Sequence, residues 1–114
     1  MSGATGFLGA CLLHELLEQT NAEVCCLVRA ASAAEGALRL RRTLERYALW
    51  DGRAARRIVP VLGDLAEPAL GLGAGDFGKL AGDVDVIYHC GALVQLLQPY
   101  SELEASNVGG THEV

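Results

Sequence analysis

Three glycines at intervals of three, Gly3, Gly6 and Gly9 in the segment SGATGFLG, constrain this chain more than any other feature, because a helical pattern begins directly behind them. Leu8, Leu12, Leu13, Leu16 and Leu17 recur at helical spacing and Thr20-Asn21 supplies a stop, which predicts a helix from about Phe7 to Gln19. A glycine turn that opens a helix suits an anion. The first glycine permits a tight turn, the second removes the Cβ that would block a pyrophosphate, and the third lets the helix pack closely on a sheet. Backbone N–H groups near Phe7 and Leu8 then face the anion, and the helix dipole favours its charge. Thr5 can cap the helix or bond a phosphate oxygen. Glycine accounts for 14 of 114 residues, so the triplet by itself is equally compatible with a purely structural turn.

Downstream, strand and helix patterns alternate. The apolar run Val24 to Val28 reads as a strand buried on both faces, as in a parallel sheet covered by helices. From about Ala33 to Leu49 a second helix places Ala37, Leu40, Leu44, Tyr47 and Ala48 on one stripe, with Arg39, Arg42 and Arg46 off it. Ile58 to Leu62 is the next strand. Its Pro60 lacks a ladder donor and so belongs at a sheet edge, the place of the third strand in the doubly wound order 3-2-1-4-5-6. A short helix near Asp76 to Leu80, a fourth strand over Val84 to Tyr88 and a last helix beginning near Pro99 to Glu102 complete the pattern. The fold class expected is α/β, a Rossmann-like doubly wound parallel sheet in one domain, residues 1–114. Only Met1 and Ser2 precede Gly3, where the central first strand should lie. The expected unit is therefore an incomplete nucleotide-binding half, with a small domain carrying a shortened first strand as the alternative.

Net charge of −5 and a pI of about 5.0 argue against a nucleic-acid partner. The basic cluster between Arg39 and Arg57 reads as a solvated helix face. Cys11, Cys25, Cys26 and Cys90 sit in apolar stretches without metal-ligand spacing, and read as small hydrophobes in a reducing compartment. No apolar run approaches the roughly 20 residues of a membrane span, and no charged and apolar signal segment follows Met1. No membrane association and a cytoplasmic location are the expectations.

The residue that ends the second strand of a dinucleotide fold, roughly 20 positions beyond the glycines, separates cofactors: an acid holds ribose hydroxyls, an arginine receives a 2′-phosphate. Here it is Arg29, and Glu23 stands at the wrong end of the strand. Arg39 on the next helix can add a second charge-assisted contact, since a guanidinium matches phosphate oxygens in pairs. NADP is favoured over NAD. Asp64 with Leu65 can bond and pack against an adenine edge, or Asp64 can serve as a plain turn residue. At the end of the fourth strand, small Gly91 and Ala92 let a ribose lie against the backbone. His89 reads as a satisfied core histidine.

In this order and spacing, SGATGFLG, CLVRA, LERYALW, PVLGDLAEPALGL, VDVIYHCGALV and NVGGT resemble the thioester reductase family of extended short-chain dehydrogenase/reductases. These are terminal reductase domains of nonribosomal peptide and polyketide synthetases, akin to those of carboxylic acid reductases. The resemblance spans the chain but covers only the amino-terminal part of the family's domain. It implies that Gly3, Thr5, Gly6, Phe7, Leu8 and Gly9 form the pyrophosphate loop, that Arg29 and Arg39 contact the 2′-phosphate, and that Asp64 and Leu65 form the adenine site. It further implies that Gly91 and Ala92 line the cofactor and that Asn107, the asparagine of an NVxGT motif, supports the active-site helix. Such enzymes use NADPH to reduce a thioester on the phosphopantetheine arm of a carrier protein to an aldehyde or an alcohol. Ser2, Cys90 and Gln95 depart from the family's usual Thr, Asn and Asn.

Hydride transfer in this superfamily uses a Tyr-x-x-x-Lys pair on one helical face. The single lysine is Lys79, four residues after Gly75, so no catalytic residue is assigned within these residues. Two other readings stay open: a non-catalytic dinucleotide-binding module or gene remnant, and a sugar epimerase of similar fold, against which LERYALW and GDLAEPALGL argue.

Overall fold

In the computed structural model, which describes residues 1–114, the helix behind the glycines is α1 (Phe7–Gln19), followed by β1 (Val24–Val28), α2 (Ala33–Arg46) and β2 (Ile58–Leu62). The strands pair in parallel with Val24 opposite Ile58 and Cys26 opposite Pro60. β2 lies at the edge of this pair, where a residue without an N–H is tolerated. Ala10, Leu13 and Leu17 of α1, Val24, Cys26 and Val28 of β1, and Leu40 and Leu44 of α2 form one buried cluster. Both helices thus cover the same face of the sheet. Gly36 allows the close approach of α2, since a Cβ there would lie 3.0 Å from Val28 Cγ1 and 3.1 Å from Pro60 Cβ.

The sequence places β1 between two covered faces, but burial alternates along it. Cys25 and Leu27 point away from α1 and α2 into an apolar groove shared with Val61, Phe77 and Leu80. α3 (Ala74–Asp83) carries those last two residues and runs longer than its expected span. The expected second helix is shorter than its pattern, stopping at Arg46: the Leu49 N–H turns back to the Leu44 carbonyl at 2.8 Å, and Ala48 adopts a φ of +57°. Tyr47 and Ala48 therefore belong to the turn.

The expected fourth strand, Val84 to Tyr88, does not form as a strand. A parallel strand exists where a neighbour answers its backbone groups, and here the answer comes from Ser2. Ser2 N–H donates to the Tyr88 carbonyl at 3.0 Å and Cys90 N–H to the Ser2 carbonyl at 3.3 Å, a single bridge between Ser2 and His89. On its other side Met1 accepts the Leu27 N–H at 2.9 Å, and its ammonium meets the Cys25 carbonyl. The order across the molecule is thus β2, β1, Met1–Ser2, Tyr88–Cys90, as the doubly wound order requires. The last residues form α4 (Tyr100–Glu104), which begins within the expected start between Pro99 and Glu102 and continues through a π-helical turn, Ala105–Gly109, into α5 (Gly110–Glu113).

Candidate functional site

At the carboxyl ends of these parallel segments lies an open cleft of about 260 Å³. One end is built by the glycine turn. Gly3 has a φ of +74°, and a Cβ there would stand 2.6 Å from the Gly91 nitrogen. A Cβ on Gly9 would strike the Gly3 carbonyl. Gly6 differs: a methyl group placed there would meet only the Gly3 oxygen, at 3.4 Å, an ordinary contact. The fold itself does not demand glycine at position 6, and the space it leaves opens on the cleft. That cradle fits a closely approaching phosphate.

The start of α1 fits the same ligand. Gly6 N–H bonds the Gly3 carbonyl at 2.9 Å, and no side chain caps the helix. Thr5 lines the cleft but does not serve as the cap considered from sequence. The opening amides of the helix, at Phe7, Leu8 and Gly9, have no partner of their own within it. The Phe7 and Leu8 side chains are 66% and 67% exposed, and the Phe7 ring lies edge-on to Tyr47 at 5.3 Å.

Arg29 and Arg39 meet at the rim of this cleft. Arg39 Nη1 donates to the Arg29 carbonyl at 2.8 Å, which holds its guanidinium at the exit of β1. That bond uses one of the five guanidinium N–H groups, and the other four are free to face an anion in the cleft. Arg29 stands 3.8 Å from Asp64, an exposed pair worth little by itself. Asp64 also accepts the Ala66 N–H at 3.0 Å, so it is a turn residue as well as a cleft residue. Leu65 is wedged between Gly91 and Gly110, where added Cβ atoms would lie 2.5 Å and 2.9 Å from its side chain.

Gly91 and Ala92 form the opposite wall. Asn107 lies outside the cleft lining and brackets the Leu93 peptide instead, accepting its N–H at 2.7 Å and donating to its carbonyl at 3.0 Å. Of the residues expected at the site, the cleft thus gathers Gly3, Thr5, Gly6, Arg29, Arg39, Asp64, Leu65, Gly91 and Ala92, while Phe7, Leu8, Gly9 and Asn107 lie outside its lining. Sequence reasoning missed Leu27, Val28, Gly63, Leu93 and Ser106, which also line it. It missed a side-chain link as well, Ser2 to His89 at 2.7 Å. The doubly wound order sets those two residues side by side, which is the signal that could have found the link.

An uncapped helix start behind a glycine turn, at the point where strand order reverses, defines a Rossmann-like nucleotide-binding fold. The chain belongs to the NAD-binding family described as male sterility protein, whose profile matches residues 1–114. A nicotinamide dinucleotide is accordingly the cofactor class. A linear gramicidin synthase of Brevibacillus parabrevis is 58% identical over 114 residues, covering 100% of this chain and 2% of that protein. The terminal R domain from the myxalamid PKS-NRPS biosynthetic pathway superposes with a TM-score of 0.96 at 52% identity, covering 98% of this chain and 29% of the other. The PhqB reductase domain from Penicillium fellutanum gives 0.85 at 36% identity, with 98% and 30% covered. The chain thus spans less than a third of these solved domains. No helix is long and apolar enough to cross a membrane.

Proposed function

We propose that this chain is the NADPH-binding part of a thioester reductase that reduces an acyl or peptidyl thioester, carried on the phosphopantetheine arm of a carrier protein, to an aldehyde or alcohol. The observation that carries the reading is the joint placement of Arg29 and Arg39 on the same cleft as the uncapped start of α1. One region would receive a pyrophosphate and the other the additional phosphate of an adenosine ribose. Likeness to the R domain of a peptide-polyketide pathway supports the thioester substrate. When bound, the cofactor supplies the hydride.

This chain's own residues bind and orient. Gly3, Gly6 and the α1 amides would hold the diphosphate, Asp64 and Leu65 the adenine, and Gly91 and Ala92 the ribose on the nicotinamide side. Lys79 is paired with Asp83 at 2.8 Å on α3, away from the cleft lining. Titration with NADPH and NADH tests the cofactor assignment. Loss of a charge-assisted contact in Arg29→Ala should weaken NADPH binding about tenfold while changing NADH little. Equal loss for both coenzymes would defeat the NADP preference.

A further inference from the structure

Ser2, His89, Thr111 and Asn107 form a chain of hydrogen bonds with only one internally consistent direction. Thr111 has a single hydroxyl proton and donates it to the Asn107 carbonyl at 2.6 Å. Toward His89 Nε2, 3.2 Å away, the same oxygen can only accept. Nε2 therefore carries the imidazole proton. Nδ1 is then bare in the neutral ring and accepts the Ser2 hydroxyl proton at 2.7 Å. The Ser2 oxygen keeps lone pairs for the Gly91 N–H, which reaches it at 3.1 Å. Each donor and acceptor is used once, and Ser2 is only 4% exposed, so the inner end of the chain is shielded from water.

The link joins segments that nothing local would align. Ser2 enters the glycine turn. Gly91 begins the opposite wall of the cleft, and a Cβ there would stand 3.0 Å from Ser2 Oγ and 3.3 Å from the Gly3 nitrogen. Asn107 fixes the Leu93 peptide further along that wall. We propose that His89, as its Nε2–H tautomer, is a positioning residue that couples the C-terminal helix to the glycine turn and so sets the separation of the two walls on which the cofactor lies. This rests on the dinucleotide reading of the cleft and assigns His89 no part in proton transfer.

The test uses the full chain labelled with ¹⁵N-histidine. Long-range proton–nitrogen NMR, assigned by comparison with His89→Phe, should show the protonated Nε2 and bare Nδ1 at neutral pH. In Thr111→Val, which removes only an exposed hydroxyl, the ring should populate both tautomers. NADPH affinity should then fall about fivefold, the scale of one hydrogen bond, with an unchanged thermal midpoint. His89→Phe should weaken NADPH further, and Ser2→Ala should do the same where the aromatic variant does not fold. A protonated Nδ1 in the unaltered chain, or Thr111→Val and Ser2→Ala binding NADPH like the parent, would overturn the proposal. If the parent itself does not bind NADPH, the dinucleotide reading fails separately, and the tautomer measurement still decides the direction of the chain.

Discussion

A methyl group added at Gly3 would have to sit against the Cys90–Gly91 peptide at a φ of +74°, whereas one added at Gly6 would meet only the Gly3 oxygen at 3.4 Å. Gly3→Ala should therefore cost about 2 kcal/mol or more of stability through backbone strain and overlap. Gly6→Ala should change it by less than about 1 kcal/mol and yet reduce dinucleotide binding at least about tenfold. Urea unfolding and coenzyme titration of the two variants separate these effects; equal destabilisation would contradict the assignment of Gly6 to a ligand. At Cys26 burial is the largest influence, with the nearby N-terminal ammonium opposing it and Cys25 adding to it. Enclosure pushes its thiol up to about 12, above the roughly 8.5 of an unfolded cysteine. Between those values the folded chain keeps a proton that the unfolded chain releases, so stability falls as pH rises, by up to about 1.4 kcal/mol per pH unit. Unfolding midpoints measured between about pH 8 and about pH 10 should decline more steeply in the parent than in Cys26→Ala.

α2 shows how local signals define an element. Ser32 Oγ accepts the Glu35 N–H at 3.2 Å while the Glu35 carboxylate accepts the Ala31 N–H at 3.0 Å, a reciprocal cap contained within five consecutive residues. Ser32→Ala should cost about 1 kcal/mol in chemical denaturation; no change would mean that packing of Leu40 and Leu44 alone fixes the helix start. The end of α1 is different, because its last turn contains no basic residue. Arg57 fills that place from across the fold, donating to the Leu17 carbonyl at 2.6 Å and the Thr20 carbonyl at 2.9 Å. The basic cluster between Arg39 and Arg57 is therefore not uniformly a solvated face. One arginine completes a helix terminus, and Arg41 pairs with Glu45 at 2.7 Å.

For the whole molecule, only 15 of 114 residues are buried, and the main cluster draws almost entirely on α1, β1 and α2. The segment 84–88 has no comparable support, with Val86 63% and Ile87 56% exposed. Local opening follows buried contacts and paired backbone. Amide hydrogen exchange should thus be slowest in β1 and the adjoining turns of α1 and α2, and faster by at least about 100-fold over 84–88. Uniform protection along the chain would show that the segment is held by more than its bridge to Ser2.

Elements whose signals are local were legible in the residues themselves: α1 from periodicity and the Thr20-Asn21 stop, α2 from periodicity, β1 and β2 from apolar runs, the edge place of β2 from Pro60, and the glycine turn from its spacing. The arginines and the acid that meet at the cleft could be picked out as well, because strand ends in this topology share one edge. The gap beside Val84 to Tyr88 was also legible, since only Met1 and Ser2 occupy the first strand's place. Two features emerged only with the folded chain, Arg39 donating one N–H to the Arg29 carbonyl and the Ser2 hydroxyl meeting His89 across 87 positions. The reason is physical: periodicity encodes which side of an element is apolar, while a hydrogen-bond partner remote in the chain exists only once separate elements have been brought into contact.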